Sequence, residues 1–208
     1  MKVLLLSPFP ELLAPALDMT GDTLITDQSI DVDFVVSFGH QQIIKEPMLS
    51  CHKDRIINLH LSFLPFGRGA DPNFWAWFDD FPKGVTIHRV DEGINTGNIL
   101  VQQHVTKWHG DDTLNTSYYY LIATAKQLFE ENWKNIRRDG LPTRKAGDHG
   151  NCHNSEDKDE WFLQLPLGWD TPVKIVKRLG REHRASFHEK ENRSPRVRKY
   201  RQQTLPEL

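Results

Sequence analysis

The sequence predicts an α/β domain with a mostly parallel, twisted sheet flanked by helices and a short C-terminal extension. Three observations point there. Short apolar runs that stop at Gly or Pro alternate with segments of helical periodicity. At 208 residues the chain suits one domain. Its composition, 38 % hydrophobic and 26 % charged, supports a core without disulfide help.

In order, Lys2–Leu6 is an apolar run that stops at Ser7-Pro8 and predicts a buried first strand. Thr23–Thr26 is a weaker strand candidate, and Asp33–Gly39 a stronger one that ends at glycine. Ile43–Leu49 suggests a turn or short helix. Arg55–Leu61 predicts a strand, with Pro65 and Gly67 marking the loop beyond it. Pro72–Phe78 starts as a helix, with Asp71 as N-cap and Pro72 at its first position. Gly84–Val90 and Asn98–Thr106 read as further strands around the turn-like Asp91-Glu92-Gly93. The longest helical pattern covers 113–138, where Leu114, Tyr118, Leu121, Ile122, Ala125, Leu128, Phe129 and Ile136 recur on one face. Asp112 or Thr113 caps it, and Gly140-Leu141-Pro142 ends it. Arg144–Asp159 is polar and reads as loop. Thr171-Pro172-Val173 opens a short amphipathic helix to about Leu179. This divides the chain into a core domain, 1–140, and an extension, 141–208, made of a loop, a short helix and a basic tail.

No window approaches the length of a membrane span, and the apolar start is too short for a signal-peptide core, so a cytoplasmic location is expected. Two cysteines, Cys51 and Cys152, fit a reducing compartment. Neither Cys51-His52 nor Cys152-His153 has the separation of a zinc knuckle, so no metal is expected. Charge is uneven. Lys174–Arg201 holds eleven basic residues against Glu182, Glu189 and Glu191. A solvated or frayed tail accounts for this run better than a nucleic-acid surface.

The chemistry concentrates between Ile56 and Leu100. Asn58 and His60, two apart on a strand, face the same side and project near the strand's carboxyl end, where open α/β sheets bind ligands. An amide that donates to an oxyanion and an imidazole that donates or moves a proton suit acyl transfer.

Around this pair, Ile57–Pro65, Arg68-Gly69-Ala70-Asp71-Pro72, Gly84–His88 and Asp91–Leu100 follow one another with an order and spacing that resemble the folate-dependent formyltransferases. That family includes the sugar N-formyltransferases, the methionyl-tRNA formyltransferases and the glycinamide ribonucleotide formyltransferases. Val35–Gly39 followed by Ile43-Ile44 is similar to the family's folate-proximal strand and loop. The resemblance implies a Rossmann-like formyltransferase fold and formyl transfer from 10-formyltetrahydrofolate to an amine. It implies catalytic roles for Asn58, His60 and the residue at 95. The family's third catalytic group is an Asp, and here it is Asn95. An amide does not accept a proton at neutral pH. Three readings stay open: an inactive form (natural, or substituted to hold ligands), a slow enzyme running on Asn58 and His60, or a substitute base at Asp91.

By the same resemblance, Phe38, Gly39, His40, Ile43, Asp91, Glu92 and Gly93 are the folate-contact candidates, with Phe63 and Ile87 beside them. Arg68, Gly69, Asp71, Trp75 and Asn151 are the acceptor-side candidates. Arg68 either steers an anionic substrate or pairs with Asp71. Of Trp75 and Trp77, one is expected in the core and the other over the cleft. Too few residues follow Leu100 for the C-terminal barrel of a methionyl-tRNA formyltransferase. An amino sugar, free or nucleotide-linked, is therefore the expected acceptor, as for a surface-polysaccharide or nonulosonic acid precursor. A peptidyl or aminoacyl amine and a folate-binding pseudoenzyme are the alternatives. A homodimer is compatible with the family.

Overall fold

The computed structural model describes residues 1–26, 31–147 and 149–193. Its main sheet has six strands: β1 (Lys2–Leu6), β2 (Thr23–Ile25), β3 (Phe34–Phe38), β4 (Ile56–His60), β6 (Lys83–Arg89) and β7 (Ile99–Val105). Their order is β2-β1-β3-β4-β6-β7, with the first four parallel and the last two antiparallel to their neighbours. A second, two-stranded parallel sheet joins β5 (Arg68–Gly69) to β8 (Cys152–His153). The expected mostly parallel α/β sheet is present.

Side-chain alternation divides the main sheet into two unlike faces. Val3, Leu5, Phe34, Val36, Ile57, Leu59, Val85 and Ile87 point to one side. There they pack on helices α1 (Pro10–Met19) and α4 (Leu114–Ile136). The other side is apolar only at one end, where Leu4, Val35 and Ile56 meet Ile44, Met48 and Leu49. Met48 and Leu49 belong to α2 (Met48–Cys51). Further along, that same side carries Asn58, His60, Thr86 and His88. An apolar face glued to helices thus holds a polar face in place.

α1 is a helix that the sequence reading did not assign. It carries two prolines: Pro10 occupies the first turn, where no amide hydrogen is needed, and Pro15 faces solvent. Leu13, Ala16 and Leu17 form the buried stripe. α4 begins as expected. The Thr113 side chain accepts from the Thr116 amide at 3.1 Å, and the Thr116 hydroxyl accepts from the Thr113 amide at 2.9 Å. Thr113→Ala removes this reciprocal cap and is expected to lower stability by about 1 kcal/mol in urea unfolding. An unchanged midpoint would show that packing alone sets this end of α4.

The segment after α4 is more structured than its polarity suggests. β8 interrupts the expected loop, followed by α5 (Asp159–Phe162). The last helix, α6 (Val173–Arg193), runs well past Leu179. It lies on α3 (Pro72–Phe78), where Val173 and Val176 join Phe74, Trp75, Trp77 and Phe78 in a second core. Gly180 makes this approach possible, because a Cβ there would sit 1.8 Å from the Phe78 carbonyl oxygen. The basic tail beyond Arg193 lies outside the described residues. Among the described residues no helix is long and apolar enough to cross a membrane.

Candidate active site

β4 and β6 pair so that Asn58 stands opposite His88 and His60 opposite Thr86. The loop after β6 then folds back. Asp91 organises it, accepting from the Gly93 amide at 3.1 Å and from the Thr96 hydroxyl at 2.6 Å. Asn95 takes the left-handed conformation, at φ 54°, that Asn tolerates better than most residues. This turn brings Asn95 beside His88.

His88 sits between two amides. Its Nδ1–H donates to the Arg89 carbonyl at 2.6 Å, which leaves Nε2 as an acceptor. Asn58 Nδ2 lies 3.4 Å from that nitrogen and Asn95 Nδ2 3.3 Å. Asn95 Oδ1 accepts from the Gly69 amide at 2.9 Å, which fixes the orientation of the Asn95 amide. Burial pushes the His88 pKa below its ordinary value, so the ring is neutral at pH 7.

His60 is likewise neutral. Its Nε2 is 2.7 Å from the Gly67 carbonyl, so that nitrogen carries the proton. Burial pulls its pKa down to about 4, against the opposing pull of the Gly67 carbonyl, and His88 adds to the fall. The consequence is acid sensitivity. Between the unfolded value near 6.5 and about 4, the unfolded chain binds a proton that the folded chain refuses, so stability falls as pH falls through this window. At pH 5 the loss is on the order of 2 kcal/mol. Replacing His60 by Gln is expected to flatten the pH 4–6.5 limb of the stability curve. An identical limb in the variant would place the acid sensitivity elsewhere.

The Gly67 peptide that holds His60 is itself held. Its N–H donates to Asn151 Oδ1 at 2.8 Å, and Asn151 Nδ2 donates to Asp79 at 2.6 Å. Both ends of Asn151 are therefore engaged within the protein, so it supports the His60 loop and does not face an acceptor. Gly69 has φ 85°, and a Cβ on it would meet the His153 carbonyl oxygen at 2.0 Å, so only glycine allows β5 to pair with β8.

Several expectations are corrected by the geometry. Arg68 does not pair with Asp71. Arg68 Nη2 donates to the Gly147 carbonyl at 2.6 Å, and Asp71 pairs with Lys158 at 3.0 Å. Trp75 does not roof the cleft. It is 3 % exposed and stacks on His153 with ring centroids 3.6 Å apart. Trp77 is buried too, donating to Ser117. Phe38 belongs to the core on the α4 side of the sheet, away from Asn58. Asp71 precedes α3 but makes no side-chain capping bond.

Of the residues expected to contact folate, Asp91, Glu92 and Gly93 line a groove of about 510 Å³ together with Glu46, Leu49, Ser50, Lys53 and Asp54. Gly39, His40 and Ile43 lie outside that lining, with Ile43 exposed. His88 and Gly67 are the site members that the residue reading left without a role. The alternation Gly84–His88 places Thr86 and His88 on one face, but only the strand register shows which face and which partner. Among the described residues no group of three or more His, Cys, Asp or Glu is placed to hold a metal ion.

A sequence profile described as "Formyl transferase" matches residues 15–131. The chain belongs to the formyl transferase family. The methionyl-tRNA formyltransferase of Agathobacter rectalis is 32 % identical over 151 residues, which is 72 % of this chain and 46 % of that protein. The chain spans less than half the length of this and two similar methionyl-tRNA formyltransferases. Among solved structures, the formyltransferase PseJ from Anoxybacillus kamchatkensis, in complex with UDP-4,6-dideoxy-4-formamido-L-AltNAc and tetrahydrofolate, is 38 % identical. It superposes with a TM-score of 0.80 over 86 % of this chain and 100 % of that one. A Mycobacterium tuberculosis protein described as a "likely sugar N-formyltransferase", 21 % identical with a TM-score of 0.68 over 86 % of this chain and 84 % of that one, shares the fold.

Proposed function

We propose that the chain moves a formyl group from 10-formyltetrahydrofolate to the amine of an amino sugar. The observation that carries this reading is the convergence of Asn58, His60 and Asn95 on one polar face, around the neutral His88. The sugar-nucleotide and tetrahydrofolate complex of PseJ supports the substrate pair. The folate supplies an activated formyl carbon, and the groove beside Asp91–Gly93 is its expected seat.

Asn58 has two amide hydrogens. One faces His88 Nε2 at 3.4 Å, and the other is the donor for the oxygen that gains charge when the amine attacks. His60 keeps its Nε2 proton on Gly67 and is neutral, so its Nδ1 lone pair is free to accept a hydrogen bond that orients the attacking amine, while its low pKa makes it a weak base. Asn95 holds the Gly69 loop and His88 in register but accepts no proton. Asp91 is a poor substitute base, because its carboxylate serves the loop through Gly93 and Thr96.

Saturating 5-formyltetrahydrofolate is expected to raise the melting temperature by about 5–10 °C at a hundredfold excess over Kd. No shift at millimolar ligand would sink the folate reading. Formyl transfer to a panel of amino sugars, followed by mass spectrometry, then tests the acceptor. The second reading, a folate-binding protein without turnover, rests on Asn95 and predicts the thermal shift with no formylated product.

A further inference from the structure

His60 and Asn95 stand on different elements, yet both are bonded to one short stretch of backbone. The Gly67 carbonyl accepts from His60 Nε2 at 2.7 Å, and the Gly69 amide donates to Asn95 Oδ1 at 2.9 Å. Asn151 grips that stretch from its other side. Its Oδ1 accepts from the Gly67 amide at 2.8 Å, and its main-chain carbonyl accepts from the Arg68 amide at 3.1 Å. The Arg68 N–H and the Gly67 C=O are the two ends of one peptide group. Bonding the first to Asn151 polarises the group and makes the second a better acceptor for His60.

Asp79 sets the direction of this grip. It closes α3, and its Oδ2 accepts from Asn151 Nδ2 at 2.6 Å. His153 Nε2 lies 3.0 Å from the same oxygen, with the His153 ring stacked on Trp75 of α3, and Arg184 lies 4.0 Å from the other oxygen. A carboxylate only accepts, so it takes Nδ2 and turns Oδ1 of Asn151 toward Gly67. An amide turned over would set Nδ2 against the Gly67 N–H and Oδ1 against the carboxylate, so one orientation is permitted.

The tautomer of His60 depends on that orientation. A neutral imidazole carries its proton on either nitrogen, and the bond made at one nitrogen decides the state of the other. With the Gly67 carbonyl in place, Nδ1 keeps its lone pair for the amine. With the carbonyl displaced, the Nδ1–H form competes and the amine loses its acceptor.

We infer that Asn151 is a positioning residue for formyl transfer: oriented by Asp79, it holds the 67–69 backbone so that His60 keeps its proton on Nε2 and Asn95 keeps its place beside His88. This rests on the proposed formyl transfer and adds to it a residue outside the 15–131 family match.

The test exchanges the two groups in the full chain. Asn151→Asp sets a carboxylate against Asp79 and should release the backbone. Adding Asp79→Asn restores a single orientation, with the new amide donating to the new carboxylate, whose other oxygen again accepts from Gly67. Two-bond ¹H–¹⁵N NMR of the imidazoles should show His60 as the Nε2–H tautomer in the unaltered protein, a mixture in Asn151→Asp, and Nε2–H again in the double variant. With 10-formyltetrahydrofolate and the preferred amino sugar, kcat should fall about a hundredfold in Asn151→Asp while the folate KM stays within about twofold, and the double variant should recover most of the loss. A residue that only stabilised the loop would shift the unfolding midpoint and leave the tautomer and kcat where they were. An Nδ1–H tautomer in the unaltered protein, a tautomer unchanged in Asn151→Asp, or a double variant no better than the single one overturns the positioning role. If Asn151→Asp does not fold, Asp79→Asn alone, which frees the Asn151 amide to turn over, should give the same mixture of tautomers, and an unchanged tautomer there overturns the role equally. Product formation by the unaltered protein is scored separately. Its absence would overturn the formyl-transfer reading and leave the His60 tautomer to decide what Asn151 does.

Discussion

Asn95→Asp is expected to raise the rate of formyl transfer by about 10²–10⁴, the usual worth of a positioned general base. The two side chains have nearly the same shape, and Oδ1 would still accept from the Gly69 amide. What changes is the atom facing His88. Asn95 Nδ2 donates to the lone pair on Nε2, whereas a carboxylate oxygen there would need a proton on that nitrogen. Nδ1 already gives its proton to the Arg89 carbonyl, so the new carboxylate favours a doubly protonated His88. Burial lowers the His88 pKa in the present chain, and the carboxylate would raise it. The rate profile should gain an acidic limb as the new Asp titrates, and NMR titration should show the His88 pKa rising. Equal rates for the two forms would mean that position 95 is not at the chemistry or that another group has taken the proton. Asp91→Asn would then be the next variant to measure.

Asn58→Ala is expected to lower turnover by about 10²–10³, the usual cost of one lost oxyanion donor. Folate binding should persist, because Asn58 is absent from the groove beside Asp91–Gly93. The loss should fall equally on kcat and kcat/KM, the mark of a contact made only in the transition state. Asn58 and Asn95 share His88 as an acceptor, so their substitutions should not add. In the Asn95→Asp background the Asn58→Ala loss should therefore differ from its value alone. Full activity in Asn58→Ala would remove the amide from the mechanism.

Much of this site is legible in the chain itself. Asn58 and His60, two residues apart on a strand, must share a face whatever surrounds them. The blocks around them carry the family resemblance that the 15–131 match bears out. The expected strands lie within a residue or two of those observed, because apolar runs ended by Gly and Pro are local signals. The α4 helix was legible for the same reason, with its Thr113 cap and a buried stripe written into one continuous segment.

Tertiary structure decided the rest. Nothing local says that His88 stands opposite Asn58, since strand register is a property of two distant segments that pack together. The protonation of His60 follows from burial and from a carbonyl seven residues away, and Asn151 reaches Gly67 across the fold. Composition marked Arg144–Asp159 as loop, but backbone pairing with Arg68-Gly69 outweighs its polarity. The proline-bearing α1 is a helix because its Leu13, Ala16 and Leu17 stripe has a sheet to pack against. Sequence by itself determined the chemical groups, their spacing along each strand and the family. Only the folded chain decided which groups meet, which are neutral and which way each amide points, because those depend on burial and on hydrogen bonds between residues far apart in sequence.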